Sequence, residues 1–143
     1  MMRAEIHWQD KVHFTAKADS GHEVSMDGPE DAGGLNRGTR PMELVLMGLG
    51  GCTSVDVVRI LEKSRQDVTD CVTELTAQRA EEIPTVFEAI HLHFIVTGRN
   101  IDEKKVERAV DLTARRYCSA SIMLERGGVA ITHDWEIVEL PEE

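Results

Sequence analysis

The chain has 143 residues, which is enough for one domain with a buried core and no stabilising disulfides. Its formal net charge of −10 argues against a nucleic-acid surface, which needs clustered Lys and Arg against phosphates. The charged start of the sequence does not resemble a signal peptide, and no apolar run is expected to reach the ~20 residues of a membrane span. We therefore predict a single domain over residues 1–143, soluble and cytoplasmic, with no nucleic-acid or membrane partner.

The first forty residues are predicted to form strands and turns. The stretch KVHFTAKA alternates in the way that is typical of a strand. It is expected to pair with RAEIHW across a short turn at Gln9–Asp10, and HEVSMD is a candidate third strand. The Gly-rich stretch DGPEDAGGLNRGTR is then predicted to be a loop.

A long helix is predicted to begin near Pro41, because proline suits the first turn of a helix. Apolar side chains between Leu44 and Leu61 occupy more than one face, so the helix is expected to be buried nearly all round. One sheet covers only one side of such a helix, and the other side requires another helix or a second subunit. Gly48, Gly50 and Gly51 each cost about 1 kcal/mol relative to alanine, and their small size lets another backbone or a substrate approach.

Two strands follow in CVTELTAQ and EAIHLHFIV, with Pro84 in their connection. The second of them places four apolar residues on one face: Ile90, Leu92, Phe94 and Val96. An amphipathic helix is predicted over NIDEKKVERAVDLTARRYC, with Asn100 and Glu103 at capping-box spacing, and a final strand over GVAITHDWEIVEL. The order β-β-β-α-β-β-α-β indicates an α+β domain with a mainly antiparallel sheet and two principal helices.

Two cysteines are associated with these helices. Cys52 directly follows the glycines of the first helix, and Cys118 follows the second helix, so helices packed on one sheet could bring the thiols together. Arg115 and Arg116 precede Cys118, and positive charge lowers the pKa of a thiol. The alternatives are that Cys52 is a small core residue and that the arginines only complement the C-terminal end of the helix.

The remaining polar candidates are weaker. Cys71 faces the apolar side of a strand and is expected to be a core residue, and the odd cysteine count without a Cys-x-x-Cys pair indicates neither a disulfide framework nor structural zinc. His91 and His93 point the same way from one strand, and His133 could join them, but none has a partner at firm metal-ligand spacing.

The first helix also carries two acidic residues that are candidate catalytic groups. Asp56 and Glu62 are interpreted as polar helix positions rather than as a catalytic acid pair. The sequence contains no Ser-His-Asp pattern, phosphate-binding loop or dinucleotide fingerprint.

The segments RPMELVLMGLGGCTSVDVVRIL and RRYCSASIML, at this separation, resemble the OsmC/Ohr family of osmotically induced and organic hydroperoxide resistance proteins. The resemblance covers essentially the whole chain, and the Gly-rich run before the cysteine is most similar to the YhfA-like branch. It implies an OsmC-like fold and an intertwined homodimer whose long central helices pack against each other, which would cover the apolar first helix.

The resemblance also implies a function, a thiol-dependent peroxidase that reduces organic hydroperoxides in oxidative stress. Cys52 would be the peroxidatic thiolate, which attacks the peroxide and becomes a sulfenic acid. Cys118 would be the resolving thiol, and an external dithiol reductant would reduce the disulfide between them. No metal, haem or flavin cofactor is implied.

The chain departs from the family pattern at the start of the first helix. Family members carry Pro-Glu there, and the glutamate helps to hold an arginine against the thiolate; this chain has Met42, and Glu43 lies about 100° further round the helix. Arg37 and Arg40 are the candidate arginines. Without such a partner only a few per cent of a cysteine is thiolate at pH 7. The alternative function is therefore a non-catalytic redox sensor or a small-ligand-binding protein.

Overall fold

The computed structural model describes residues 1–142 and divides into two compact units, Met1–Met47 and a second that begins at Gly48. The first unit contains an antiparallel sheet of β1 (Ala4–Asp10), β2 (His13–Ala18) and β3 (Glu23–Asp27), in that order. The predicted turn at Gln9–Asp10 is wrong by two residues. Asp10 pairs with His13, so the turn consists of Lys11, which has a φ of 48°, and Val12.

The predicted loop after β3 is confirmed, and it is organised around the buried carboxylate of Asp27. Asp27 Oδ2 accepts hydrogen bonds from the backbone N–H groups of Leu35 at 3.0 Å and Arg37 at 3.1 Å. Burial would raise the pKa of Asp27, but the N–H groups of Arg37 and Leu35 together with the Arg37 guanidinium hold that pKa below its ordinary value. The loop is therefore held by a charged residue that the sequence did not single out.

The long helix α1 (Pro41–Lys63) begins at the predicted proline. Glu43 Oε1 accepts hydrogen bonds from the N–H of Arg40 at 2.8 Å and from Thr39 Oγ1 at 3.3 Å, so Glu43 acts as the acidic half of a capping box. By length and composition alone α1 could cross a membrane, which corrects the expectation that no apolar run is long enough. The same test is passed by core helices, and Leu49, Val57 and Leu61 of α1 are buried within the protein.

The second unit contains a sheet in the order β4 (Asp67–Arg79), β5 (Phe87–Arg99) and β6 (Ala130–Glu139). The strands β4 and β5 are antiparallel, whereas β5 and β6 are parallel. The prediction of a mainly antiparallel sheet is confirmed, but the parallel pair was not foreseen. It follows from the helical crossover between β5 and β6, because parallel neighbours cannot be joined by a tight turn.

The crossover consists of α2 (Glu103–Leu112), a π-helical turn (Thr113–Tyr117) and α3 (Ser119–Arg126). The single helix predicted over this stretch is thus correct only as far as α2. The predicted capping box at Asn100 and Glu103 is wrong, because Asp102 Oδ1 caps α2 by accepting from the N–H of Lys104 at 2.9 Å. Asn100 instead adopts a φ of 54° in the turn before the helix.

The core of this unit lies between the helices and one face of the sheet. The four β5 residues predicted to share a face are all buried, which confirms the alternation. They face buried residues of the helices: Leu49, Val57, Leu61, Val106, Ala109 and Val110. The other face of the sheet carries the polar residues of β5. We call the face that packs on the helices the helix-covered face and the face with the polar residues the open face.

Candidate active site

Cys52 is placed by close packing of α1 on β4. A Cβ on Gly50 would meet Leu75 Cδ1 at 2.8 Å, so this glycine lets the helix approach the strand. The side chain of Ser54 bonds both the carbonyl of Gly50 and Thr73 Oγ1 at 2.6 Å, which ties the helix to the strand one turn further on. A Cβ on Gly48 or Gly51 would meet nothing within 4 Å, so these two glycines open the helix surface instead.

Cys118 is placed by the junction of the π-helical turn and α3. Its N–H donates to the carbonyl of Thr113 at 2.9 Å, which closes the turn. Its Sγ accepts a hydrogen bond from the N–H of Ser121 at 3.4 Å, so the thiol is the N-cap of α3. Cys118 is fully buried, whereas Cys52 is half-buried. Sequence reasoning missed both the π-helical turn and this cap, because neither has a distinctive residue pattern.

The structure brings Cys52 and Cys118 together and adds a third group. The Sγ atoms of both cysteines and a carboxylate oxygen of Asp56 all lie within 4.8 Å of one another. We call these three residues the thiol cluster. Asp56 was interpreted as an ordinary polar helix position, yet it lies four residues after Cys52, the spacing that places two side chains on one face of a helix. That spacing was the sequence signal that could have placed Asp56 near Cys52. The other acidic candidate, Glu62, is exposed on α1.

The two thiols differ in their electrostatic environment. Burial and the neighbouring Cys52 raise the pKa of Cys118 to about 11, and the N–H groups of Ser121 and Ala120 offset this only in part. The expectation that Arg115 and Arg116 lower the pKa of Cys118 is therefore wrong. Arg115 is paired with Asp111 at 2.8 Å, and Arg116 lies over the ring of Tyr117.

Cys71 is not part of the thiol cluster. It lies on β4 opposite Val96 of β5 and is half-buried with Thr73 and Leu75 on the same face. Burial and the charge of Asp70 raise the pKa of Cys71 despite the hydrogen bond with Thr73. Both observations agree with a packing role for Cys71.

The candidate arginines have partners within the first unit. Arg37 Nη1 pairs with Asp10 at 2.7 Å and its Nε with Asp27 at 3.4 Å, while Arg40 Nη1 donates to Asn36 Oδ1 at 3.2 Å. Glu43 caps α1, as described above. The role of these residues towards Cys52 therefore stays a prediction.

The histidines do not form the three-imidazole site considered from the sequence. His91 and His93 share the open face, as predicted, and both bond Asp134 Oδ1, at 3.0 Å and 2.6 Å. His133 pairs in register with Leu92 and so lies on the helix-covered face, away from the other two. Bonding to Asp134 raises the pKa of His93, and bonding to His93 and His91 lowers the pKa of Asp134.

Asp56 lines an open pocket of about 410 Å³, and Tyr117, which directly precedes Cys118, lines it as well. The other lining residues are three cations, two apolar residues and a serine: Arg59, Lys63, Arg108, Ile60, Leu112 and Ser64. Of the thiol cluster, only Asp56 lines this pocket.

Several known proteins are similar to this chain in sequence or in fold. The model of the OsmC-like protein family matches residues 32–134. The protein YhfA of Escherichia coli K12 is 49% identical over 137 residues, which cover 96% of this chain and 98% of YhfA. A hypothetical protein from Aquifex aeolicus VF5 has a solved structure that is 30% identical, with a TM-score of 0.86, and the match covers 99% of this chain and 98% of that one.

A more distant solved structure is that of a protein described as a redox protein. The organic hydroperoxide resistance protein OsmC from Legionella pneumophila, also described as a predicted redox protein, is 18% identical with a TM-score of 0.70 over 98% of this chain and 97% of its own. At that identity the likeness concerns the fold. The family match and the 49% identity to YhfA over 96% of this chain show the family: the chain belongs to the OsmC-like family.

Proposed function

We propose that this protein is a thiol-dependent peroxidase that reduces organic hydroperoxides, with Cys52 as the peroxidatic and Cys118 as the resolving thiol. The observation that carries the proposal is the approach of the two Sγ atoms to within 4.8 Å, with Cys52 half-buried and Cys118 buried. Family membership and the description of the Legionella pneumophila protein as an organic hydroperoxide resistance protein support the choice of substrate.

The reaction needs only the two thiols, a peroxide and a dithiol. The Cys52 thiolate attacks the distal oxygen of ROOH, the O–O bond breaks, and the products are a Cys52 sulfenic acid and ROH after protonation of the alkoxide. The Cys118 sulfur then attacks the sulfenic sulfur, water leaves, and a Cys52–Cys118 disulfide forms. An external dithiol reduces this disulfide by two exchange steps and is itself oxidised.

The two environments support this order of attack. Cys118 is fully buried, and its pKa of about 11 keeps it protonated at neutral pH, so it is poorly suited to attack first. Cys52 is half-buried, so a peroxide reaches its sulfur more easily than that of the buried Cys118. A disulfide requires an S–S distance of about 2.05 Å, so we expect a local movement of Cys118 at the junction between the π-helical turn and α3.

The test is the loss of cumene hydroperoxide in the presence of a dithiol. Wild-type protein should consume many equivalents of peroxide, Cys52→Ser should fall to the rate of the dithiol alone, and Cys71→Ser should match the wild type. A wild-type rate no higher than that of Cys52→Ser would contradict the proposal.

A redox sensor that uses the same thiols is the second candidate, and one observation favours it. Met42 stands where family members have the glutamate, and Glu43 caps the helix rather than facing a catalytic arginine. A sensor would form the Cys52–Cys118 disulfide with one equivalent of peroxide but would not turn over when dithiol is supplied. The same assay therefore separates the two candidates.

We also propose that the protein is a cytoplasmic homodimer built from one OsmC-like domain per chain. The exposed surface of α1 supports the dimer, because Gly48, Gly51 and Val55 share one side of the helix, with Val55 58% exposed. A second copy of the helix would cover this apolar strip. The family match runs across both compact units, which supports a single domain.

A further inference from the structure

The thiol cluster contains a carboxylate that the peroxidase reaction does not use. Asp56 is half-buried, and its carboxylate makes no hydrogen bond or ion pair with another residue among the 142 that the structure describes. By contrast, the aspartates Asp27 and Asp134 both have close partners. A carboxylate beside two sulfurs, with its oxygens not engaged elsewhere, is a potential metal ligand.

The geometry of the cluster suits a small thiophilic cation. Tetrahedral zinc with Zn–S bonds of about 2.3 Å places its ligand atoms about 3.5–3.8 Å apart. The two sulfurs and the carboxylate oxygen already lie within 4.8 Å of one another, so they need to close by about 1.3 Å at most. Cys52 and Asp56 are one turn apart on the rigid helix α1, and only Cys118 comes from a second element.

The site also has an entry path and an open position. Asp56 lines the pocket that leads to solvent, whereas Cys118 forms the buried end of the cluster. Three protein ligands leave the fourth position of a tetrahedral ion to water. The charge is favourable too, since two thiolates and one carboxylate exceed the charge of a divalent ion by one.

We propose that Cys52, Asp56 and Cys118 bind one thiophilic divalent cation such as Zn²⁺, and that this cation inhibits the oxidation of Cys52. Binding releases the protons of the two thiols and forms two metal–sulfur bonds and one metal–oxygen bond, with no change of oxidation state. The bound sulfurs are then less available to attack a peroxide. The inference deepens the proposed function, because it concerns the same two thiols.

The test is a titration of the reduced protein with Co²⁺, a spectroscopic substitute for Zn²⁺, without peroxide. We expect a thiolate-to-cobalt charge-transfer band that saturates at one ion per chain and disappears when Zn²⁺ is added. Cys52→Ser and Cys118→Ser should lose the band, and Asp56→Asn should weaken binding by about tenfold or more. Glu62→Gln and Cys71→Ser are matched controls, on the same helix and in the same unit, and should bind like the wild type.

Three results would overturn the inference. They are the absence of a saturable band, equal affinity in Asp56→Asn and wild type, and a loss of binding in Cys71→Ser. In a second measurement, one equivalent of Zn²⁺ should slow the oxidation of Cys52 by cumene hydroperoxide, and a chelator should restore it. Since the titration contains no peroxide, metal binding without turnover would contradict only the proposed function, and turnover without metal binding only this inference.

Discussion

On each side of the sheet formed by β4, β5 and β6, an aspartate lies close to two titratable side chains. On the open face, Asp134 bonds both His91 and His93, which joins the three residues in one hydrogen-bonded group. On the helix-covered face, Asp56 approaches Cys52 and Cys118 without a hydrogen bond to them. A satisfied polar network stabilises, whereas an unsatisfied group of nucleophiles is available for chemistry.

The largest effect is expected from removing the resolving thiol. In Cys118→Ser the sulfenic acid on Cys52 has no partner, so turnover should fall by about a hundredfold or more and excess peroxide should drive Cys52 to sulfinic acid. Peptide mass spectrometry should locate two added oxygens on Cys52 in the variant but not in the wild type. Replacing His93 by Gln on the open face should leave turnover unchanged. Normal turnover in Cys118→Ser would remove Cys118 from the mechanism.

A second large effect is expected at the proposed dimer interface. Val55→Asp places a charge on the exposed apolar strip of α1 and should convert a particle of twice 16.0 kDa into one of 16.0 kDa. Light scattering at micromolar concentration measures this directly. Glu62→Gln, on the same helix, should leave the mass unchanged. A wild-type particle of 16.0 kDa would contradict the dimer without affecting the chemistry of the thiols.

A third prediction compares adjacent residues of β5 that point to opposite faces. Leu92 is only 2% exposed, so Leu92→Ala should lower the free energy of unfolding by about 2–5 kcal/mol through lost packing. His93→Ala should lower the free energy of unfolding much less, because His93 lies on the open face and the residues around it are in contact with water. Chemical denaturation measures both. Equal losses would mean that the open face is buried in solution.

The smallest effect is the pH dependence of stability on the open face. Asp134 raises the pKa of His93 above its ordinary 6.5, so this contribution is complete below about pH 6.5 and is lost as the pH rises through the folded-state value. The pKa of Asp134 is lowered from 3.8, so its contribution is present above about pH 4 and is lost on further acidification. The difference in melting temperature between wild type and His93→Gln should be widest between about pH 4 and 6.5. A difference that grows towards pH 9 would contradict the assignment.

Local sequence patterns predicted the parts of the fold that depend on local periodicity. Alternation along β5 correctly separated Leu92 from His91, because each strand residue alternates between faces. The direction of β6 was out of reach, since strand pairing depends on the path of the crossover. The π-helical turn was missed because the helical spacing of Val110, Thr113 and Tyr117 continues through it. Tyr117 is nevertheless 51% exposed.

The candidate site was predicted only in part. The paired cysteine motifs suggested that Cys52 and Cys118 meet, and the structure brings them together. The electrostatics of Cys118 could not be read from the sequence, because adjacent arginines suggest a low pKa while the actual burial of the thiol raises it. For His133 the sequence did contain a signal, because it alternates in phase with the apolar residues Ile131 and Ile137, and the register with Leu92 places it on the helix-covered face.

The most direct test of the account is the position of the first oxidation. Reduced wild-type protein is treated with one equivalent of cumene hydroperoxide, alkylated and digested, and the peptides are identified by mass spectrometry. The account predicts a Cys52–Cys118 disulfide with Cys71 still alkylated as a free thiol, and the same disulfide in Cys71→Ser. Oxidation of Cys71 or Cys118 while Cys52 remains a free thiol would contradict it.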